Sequence, residues 1–235
     1  MTSELRVICA DISALPLFEK AAPDGTRVGY EPSAAELVAE RMGRTVRWVY
    51  TAWSDMVPAV LDGRGDVLWC GQGITDARKE IVDFTRPYGI FDESLLVRAD
   101  SGITSIEDVA GKRIGAIAGS TNMTLTETFP GVIAVPFGGT TDDVFGEMIQ
   151  ALRDGSIDGF VDDDVALVPV GDEPDLAVAF TVATRNKWGA CVAPGNDALL
   201  AELDAALTSV IADGSLQSQW DKWMPTLAFP LTVED

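Results

Sequence analysis

Strand-like and helix-like segments alternate along this chain, and that alternation leaves few solutions. A strand lying parallel to its predecessor needs a long crossover, which a helix usually supplies. The expected class is therefore α/β with largely parallel sheets. Leu5–Ala10 reads as the first strand, Val46–Tyr50 as the second, and Asp66–Cys70 as a short apolar strand of the kind buried on both faces. Between the first two, Ser33-Ala-Ala-Glu36 has the form of a capping box. It should open a helix that carries Leu37 and Val38 and stops at Gly43. A further helix is expected from about Ser54 to Asp62, halted by Gly63.

A second series follows. Ser94–Ala99, Arg113–Ala118, Val132–Val135 and Ile157–Val161 read as strands, and Ser105–Ala110 as a short helix. Gly119-Ser120-Thr121 should open another helix, and a long one is expected from Thr141 to Arg153, before Gly155. Lys187–Ala193 looks like a late strand. Leu199, Leu200, Leu203, Ala206, Leu207, Val210 and Ile211 then recur at helical spacing. Ser215–Met224 makes a final helix with Trp220 and Trp223. At 235 residues the chain can hold one large domain or two lobes.

Composition removes several classes. Lys and Arg number 17 against 37 Asp and Glu, a net charge of −20, and the basic residues form no cluster. Neutralising phosphates needs clustered cations, so neither nucleic acid nor an anionic membrane surface is an expected partner. The acidity reads as a solvated, self-repelling surface. It is uneven: from Arg98 to Asn186 there are 5 basic and 15 acidic residues, half the net charge, which supports a distinct second lobe. The chain has no histidine, which excludes a Ser-His-Asp triad, a Cys-His dyad and any His-ligated metal. Cys9, Cys70 and Cys191 are widely spread without a CxxC, and read as small buried apolar side chains rather than a disulfide framework. No cofactor, metal or catalytic group is expected. No run of about 18 apolar residues is present to span a membrane.

The ordered motifs are more specific than the alternation. Gly29-Tyr30-Glu31 precedes the first helix, followed by Thr51-Ala-Trp53, Gly65-Asp66-Val67 and Gly71-Gln-Gly73-Ile-Thr75-Asp-Ala-Arg78. Val82-Asp-Phe-Thr-Arg-Pro-Tyr88, Glu107-Asp-Val-Ala-Gly111, Ala118-Gly-Ser-Thr121 and Asp158-Gly-Phe-Val-Asp-Asp163 come next. In order and spacing the chain, from about Leu5 to Trp223, resembles the extracytoplasmic solute-binding proteins of family 3, the amino-acid-binding components of ABC transporters. The resemblance implies a two-lobed periplasmic-binding-protein-like fold (type II) with the ligand in the interlobe cleft. It places residues 1–97 and 187–235 in one lobe and 98–186 in the other, with hinges near Val97 and Asn186. The implied ligand is a small molecule, an amino acid, and the implied partner is an ABC permease served by a monomeric binding protein.

The chemistry of gripping a free amino acid then selects residues. An α-carboxylate suits a planar guanidinium with backbone N–H donors, and an α-ammonium suits a carboxylate. Arg78, just beyond the third strand, matches the family's carboxylate clamp. Gly119, Ser120 and Thr121 match the turn that supplies the second hold, at a helix start whose N–H groups are unpaired. Asp163, in Asp162-Asp163-Asp164, matches the ammonium partner. Trp53 matches the aromatic that packs on the ligand side chain, and Asp11 lies where relatives place a side-chain-reading acid. Two departures stand out. Ala14 replaces an aromatic after the first strand, and the Ser-rich turn of several relatives here reads Cys70-Gly71-Gln72-Gly73, leaving the carbonyls of Gly71 and Gly73 as acceptors. The acidic site favours a polar or cationic amino acid over an acidic one.

Two other readings remain. One is a stand-alone or cytosolic ligand sensor: Met1-Thr-Ser-Glu-Leu-Arg carries no basic-then-apolar signal segment. The protein is then cytoplasmic if Met1 is the native start, and extracytoplasmic if an export signal has been removed. The other is an enzyme resembling cyclohexadienyl dehydratases, which have a glutamate three residues after the pocket aspartate, where this chain has Ala166.

Overall fold

The computed structural model describes residues 3–138 and 143–234. The chain divides into two compact units. One comprises Met1–Asp11, Pro16–Ile90 and Asn186–Asp235, the other Ile12–Leu15 and Phe91–Arg185.

The first unit is a five-stranded sheet covered by helices. In chain order it holds β1 (Ser3–Cys9), α1 (Tyr30–Arg41), β2 (Arg44–Tyr50), α2 (Met56–Leu61), β3 (Val67–Leu68), α3 (Asp76–Lys79) and β4 (Asp83–Phe84). The strand order is β2-β1-β3-β10-β4, where β10 is Cys191–Val192. β1 runs parallel to both β2 and β3, while β10 is antiparallel to β3 and β4. β1 therefore lies between β2, reached through α1, and β3. Such a reversal of winding is where open α/β sheets expose the carboxyl ends of their strands to a ligand.

α1 starts three residues before the expected Ser33. Gly29 sits at its N-terminus with φ 125°, and a Cβ there would lie 2.3 Å from the Leu17 carbonyl oxygen. The close approach of two backbones sets the boundary. Ser33 is thus inside the helix, and its hydroxyl accepts from Trp223 Nε1 rather than capping. The helix ends at Arg41, with Gly43 in the left-handed conformation just beyond. α1 packs on α7 (Asp197–Ala212) and α8 (Ser215–Trp223). In α7 six residues of the expected stripe, Leu199, Leu203, Ala206, Leu207, Val210 and Ile211, are buried, while Leu200 is half-buried at its edge.

The second unit repeats the winding. It holds β5 (Gly89–Arg98), β6 (Arg113–Ile117), α4 (Thr121–Thr126), β7 (Ile133–Phe137), α5 (Val144–Arg153), β8 (Gly159–Asp163), α6 (Asp164–Val170) and β9 (Leu176–Trp188). The order is β7-β6-β8-β5-β9, with β6 parallel to β7 and β8, and β5 antiparallel to β8. Leu95, Val97, Ile103, Val109, Ile114, Phe129 and Val161 form its core. Apart from the short Ile12–Leu15 stretch, the chain passes between the units within β5 and again within β9. At the second passage Arg185 adopts a left-handed φ of 51°, and its N–H donates to Asp92 Oδ1 at 2.8 Å.

Other expectations shift locally. The helix expected from Ser54 begins as a 3-10 turn, Trp53–Asp55, before α2. The expected Thr141 start of α5 lies outside the described residues; from Val144 the helix is capped by the Asp143 carboxylate, which accepts from Gly146 N–H. The capping box occurs instead at Ser105 and Asp108, on a single 3-10 turn. Lys187–Ala193 is not one strand. Lys187 and Trp188 end β9, and the chain breaks at Gly189, where a Cβ would come within 2.9 Å of Ile74 and Phe84 side-chain atoms.

Candidate functional site

In each unit the expected residues gather at the carboxyl ends of the two strands that flank the reversal of winding. In the first unit these are β1, followed by Asp11, and β3, followed by Cys70–Gly73. The two ends touch: Ala10 N–H donates to Cys70 Sγ at 3.5 Å. Asp11 is half-buried, and its Oδ1 accepts from Ala21 N–H at 2.8 Å, fixing the carboxylate against its own loop. Trp53, also half-buried, follows the carboxyl end of β2, one strand further out.

The turn after β3 is held from several sides. Gly71 takes a left-handed φ of 59°. Its N–H donates to Glu31 Oε2 and lies within 3.0 Å of the Tyr88 hydroxyl. Gln72 accepts from Gly189 N–H, and Ile74 N–H donates to the Lys187 carbonyl. Arg78 sits in α3, where the Thr75 hydroxyl caps by accepting its N–H at 3.2 Å. The half-buried Arg78 guanidinium reaches back: Nη1 donates to the Gly73 carbonyl at 2.8 Å. One of the two carbonyls expected to be open acceptors therefore already serves to aim Arg78. Burial pushes the Cys191 thiol up to about 12, although the positive Arg78 works against that shift.

The three cysteines are buried, as expected. Burial drives Cys9 up to about 12 and Cys70 higher still, so both remain thiols at neutral pH. Arg27 Nη1 donates to Cys9 Sγ at 2.7 Å, and its guanidinium lies 5.3 Å from the ring centroids of both Trp48 and Tyr50. No sequence motif pointed to Arg27.

In the second unit the flanking strands are β6, followed by Gly119 and Ser120, and β8, which ends at Asp163. Gly119 is exposed with φ 73°, turning the chain into α4. Ser120 caps α4: its Oγ accepts from Met123 N–H at 3.0 Å and donates to the Ile117 carbonyl at 2.7 Å. The N–H groups of Thr121 and Asn122, in the first turn, have no carbonyl within their own helix. Asn122 joins the two strand ends, since its Nδ2 donates to the buried Asp163 Oδ1 at 3.2 Å. Its side chain is buried, and Oδ1 has no hydrogen-bond partner.

Asp163 stands directly across from Glu93 in the β5–β8 pairing, with Ser94 across from Asp162. Glu93, Asp162 and Asp163 are all buried. Asp162 Oδ1 accepts from Asp163 N–H at 2.8 Å, which fixes the strand end. Burial, reinforced by the charge of Glu93, pushes Asp162 up to about 7. Asp164 opens α6, and its Oδ1 accepts from Asp92 and Val165 N–H. The acidic triplet thus separates into two buried acids at the end of β8 and one that opens α6.

Sequence reasoning missed Asn122, Glu93, Tyr88 and Glu31 as parts of these arrangements. Glu31 and Tyr88 lay inside motifs that carried the resemblance, but nothing in their spacing indicated that they meet.

Two α/β units, each placing polar side chains where its winding reverses, define a small-molecule-binding class of protein. A family model, bacterial extracellular solute-binding proteins, family 3, matches residues 7–226, and the chain belongs to that family. Curated relatives include the ABC transporter arginine-binding protein 1 of Escherichia coli, 29% identical over 89% of this chain and 87% of that protein. The L-cystine-binding protein TcyJ of the same organism is 29% identical over 88% of this chain and 78% of its own length. Among solved structures, an ancestral arginine-binding protein bound to glutamine superposes with a TM-score of 0.84 at 30% identity, covering 95% of this chain and 99% of that one. A periplasmic His/Glu/Gln/Arg/opine family-binding protein from Silicibacter pomeroyi, in complex with lysine, gives 0.83 at 25% identity over 97% and 100%. The fold is that of these two-lobed amino-acid-binding proteins. Among the described residues no helix is long and apolar enough to cross a membrane.

Proposed function

We propose that this protein captures a free amino acid or a closely related zwitterionic solute and, as a monomer outside the cytoplasm, presents it to an ABC importer. Arg78 takes the α-carboxylate, with the N–H groups around Ser120 and Thr121 as the second hold, and Asp163 takes the α-ammonium. Trp53 packs on the ligand side chain, and Asp11 reads its polar end. The lobes are residues 1–97 with 187–235 and residues 98–186, and one ligand gripped by groups from both favours the closed state.

The observation that carries this reading is the matched placement: Asp163 is the last residue of β8, and Arg78 is held by the turn that follows β3, each at the carboxyl end of a strand beside a winding reversal. The arginine-, cystine- and lysine-associated relatives support a zwitterion with a polar or cationic side chain. Binding rather than catalysis fits Ala166, which is buried where a dehydratase-like acid would stand. The test is a thermal-shift panel of the common amino acids, betaines and polyamines on wild type and Arg78→Ala. At least one amino acid should raise the wild-type Tm and raise that of Arg78→Ala much less. An equal shift in both proteins would remove Arg78 from the site.

A further inference from the structure

Glu31 has an unusual setting. It is 3% exposed, on the first turn of α1, and both of its hydrogen bonds fall on one oxygen. Oε2 accepts from Gly71 N–H at 3.0 Å and from the Tyr88 hydroxyl at 2.9 Å, while Oε1 is buried with no partner. The Tyr30 hydroxyl donates to the Tyr88 carbonyl at 2.5 Å, so Tyr88 is itself fixed. Burying a carboxylate is unfavourable unless it is hydrogen-bonded. Here one bond goes to the turn that carries the Arg78-holding carbonyl, and the other comes from Tyr88, whose hydroxyl lies 3.0 Å from the Gly71 nitrogen of that turn. From Glu31 Oε2 the connection runs through Gly71 N–H and two residues of backbone to Gly73 O, and from there to Arg78 Nη1.

We propose that Glu31 is a positioning residue for ligand capture: it locks Gly71 in its left-handed conformation and thereby aims the Gly73 carbonyl and the Arg78 guanidinium. The ligand consequence rests on the reading that Arg78 binds the carboxylate; the locking of the turn does not. Burial pushes Glu31 up to about 7. Below that pH its bonds become those of a neutral acid, which are weaker than charge-assisted ones. The turn should therefore tighten as pH rises through about 7. The titratable and charged groups around Glu31 are Tyr30 and Glu36 on its own helix, Cys9 from β1, Cys70 past β3, Tyr88 past β4, and Arg27 from the preceding loop. The tyrosines and thiols are all driven above their ordinary range. Glu36 is also pushed up by burial, so Glu36→Gln serves as the control.

The experiment is amide exchange of ligand-free protein from pH 5.5 to 8.5, with intrinsic rates divided out, paired with calorimetry using L-arginine, L-lysine and L-glutamine. Gly71 protection in wild type and Glu36→Gln should rise about tenfold across pH 7, the step expected when a bond becomes charge-assisted. In Glu31→Gln it should be low and flat, while β1 amides keep their protection. Tyr88→Phe, which leaves the carboxylate in place, should retain the pH step. The affinity of whichever probe binds should drop about tenfold in Glu31→Gln at pH 8 and match wild type at pH 5.5. A wild-type Gly71 amide with no pH step overturns the proposal, as does Glu31→Gln with wild-type protection. If none of the three probes binds wild type, those three side chains are excluded for the ligand, and the exchange result still decides the role of Glu31.

Discussion

Replacing Asp163 with Asn separates binding from folding, because the structure gives opposite signs for the two. Asp163 is 8% exposed and accepts from Asn122 Nδ2, a bond that an Asn side-chain carbonyl can retain. The substitution removes the charge while keeping the shape. Toward an ammonium, the loss is that of a charge-assisted hydrogen bond, about 1.5–3 kcal/mol, or roughly ten- to a hundredfold in Kd. Toward folding, Asp163 faces Glu93 across the β5–β8 pair, and like charges directly opposite are unfavourable. Removing one should leave the ligand-free protein as stable as wild type or slightly more so. Calorimetry with the best ligand of the panel measures the first effect, and chemical denaturation without ligand the second. Asp163→Asn with wild-type affinity would refute the ammonium role. A loss of affinity with an equal loss of ligand-free stability would mean that the acid is structural.

Asp162, pushed up to about 7, holds a proton in the folded state that the unfolded chain releases near 4, so its contribution is present at low pH and is lost as pH rises through about 7. The effect amounts to about 4 kcal/mol between about pH 4 and 7, of which about 2 kcal/mol falls above pH 5.5. Denaturation midpoints should fall between pH 5.5 and 8.5, and Asp162→Asn should flatten the profile; a wild-type midpoint that climbs over this range would contradict the sign. In α7, Leu203 is fully buried, and Leu203→Ala should cost about 2–5 kcal/mol, lowering Tm by at least about 4 °C by calorimetry. A Tm within 1 degree of wild type would mean that the α1–α7 packing is not a major source of stability.

Much of the architecture could be read in the chain because periodicity and core face coincide. α7 is the clearest case, since its apolar stripe is one continuous buried face. β9 was largely missed. It lies at the end of its sheet, and its half-solvated alternation of Val, Thr and Arg over Leu176–Trp188 gives little contrast. The start of α1 was misread because Ser33 and Glu36 satisfy the pattern of a cap, whereas the real boundary is set by Gly29 pressed against Leu17, a contact between residues far enough apart in sequence to be invisible to it. The candidate site divides in the same way. Arg78, Ser120 and Asp163 follow strand ends and carry recognisable chemistry. Glu31, Tyr88 and Asn122 act by meeting other residues across 40, 57 and 41 positions of sequence, and spacing alone does not encode such meetings.

The claim that everything else depends on is that the guanidinium of Arg78 recognises the ligand's α-carboxylate. The direct measurement is a cycle of four calorimetric titrations: wild type and Arg78→Ala, each with the preferred amino acid and with its methyl ester. If the claim holds, esterification weakens wild-type binding by roughly ten- to a hundredfold, the value of a charge-assisted hydrogen bond, and weakens Arg78→Ala binding by a smaller factor, the part owed to the N–H groups around Ser120 and Thr121. If esterification weakens both proteins by the same factor, the carboxylate is held elsewhere and the assignment of Arg78 is wrong.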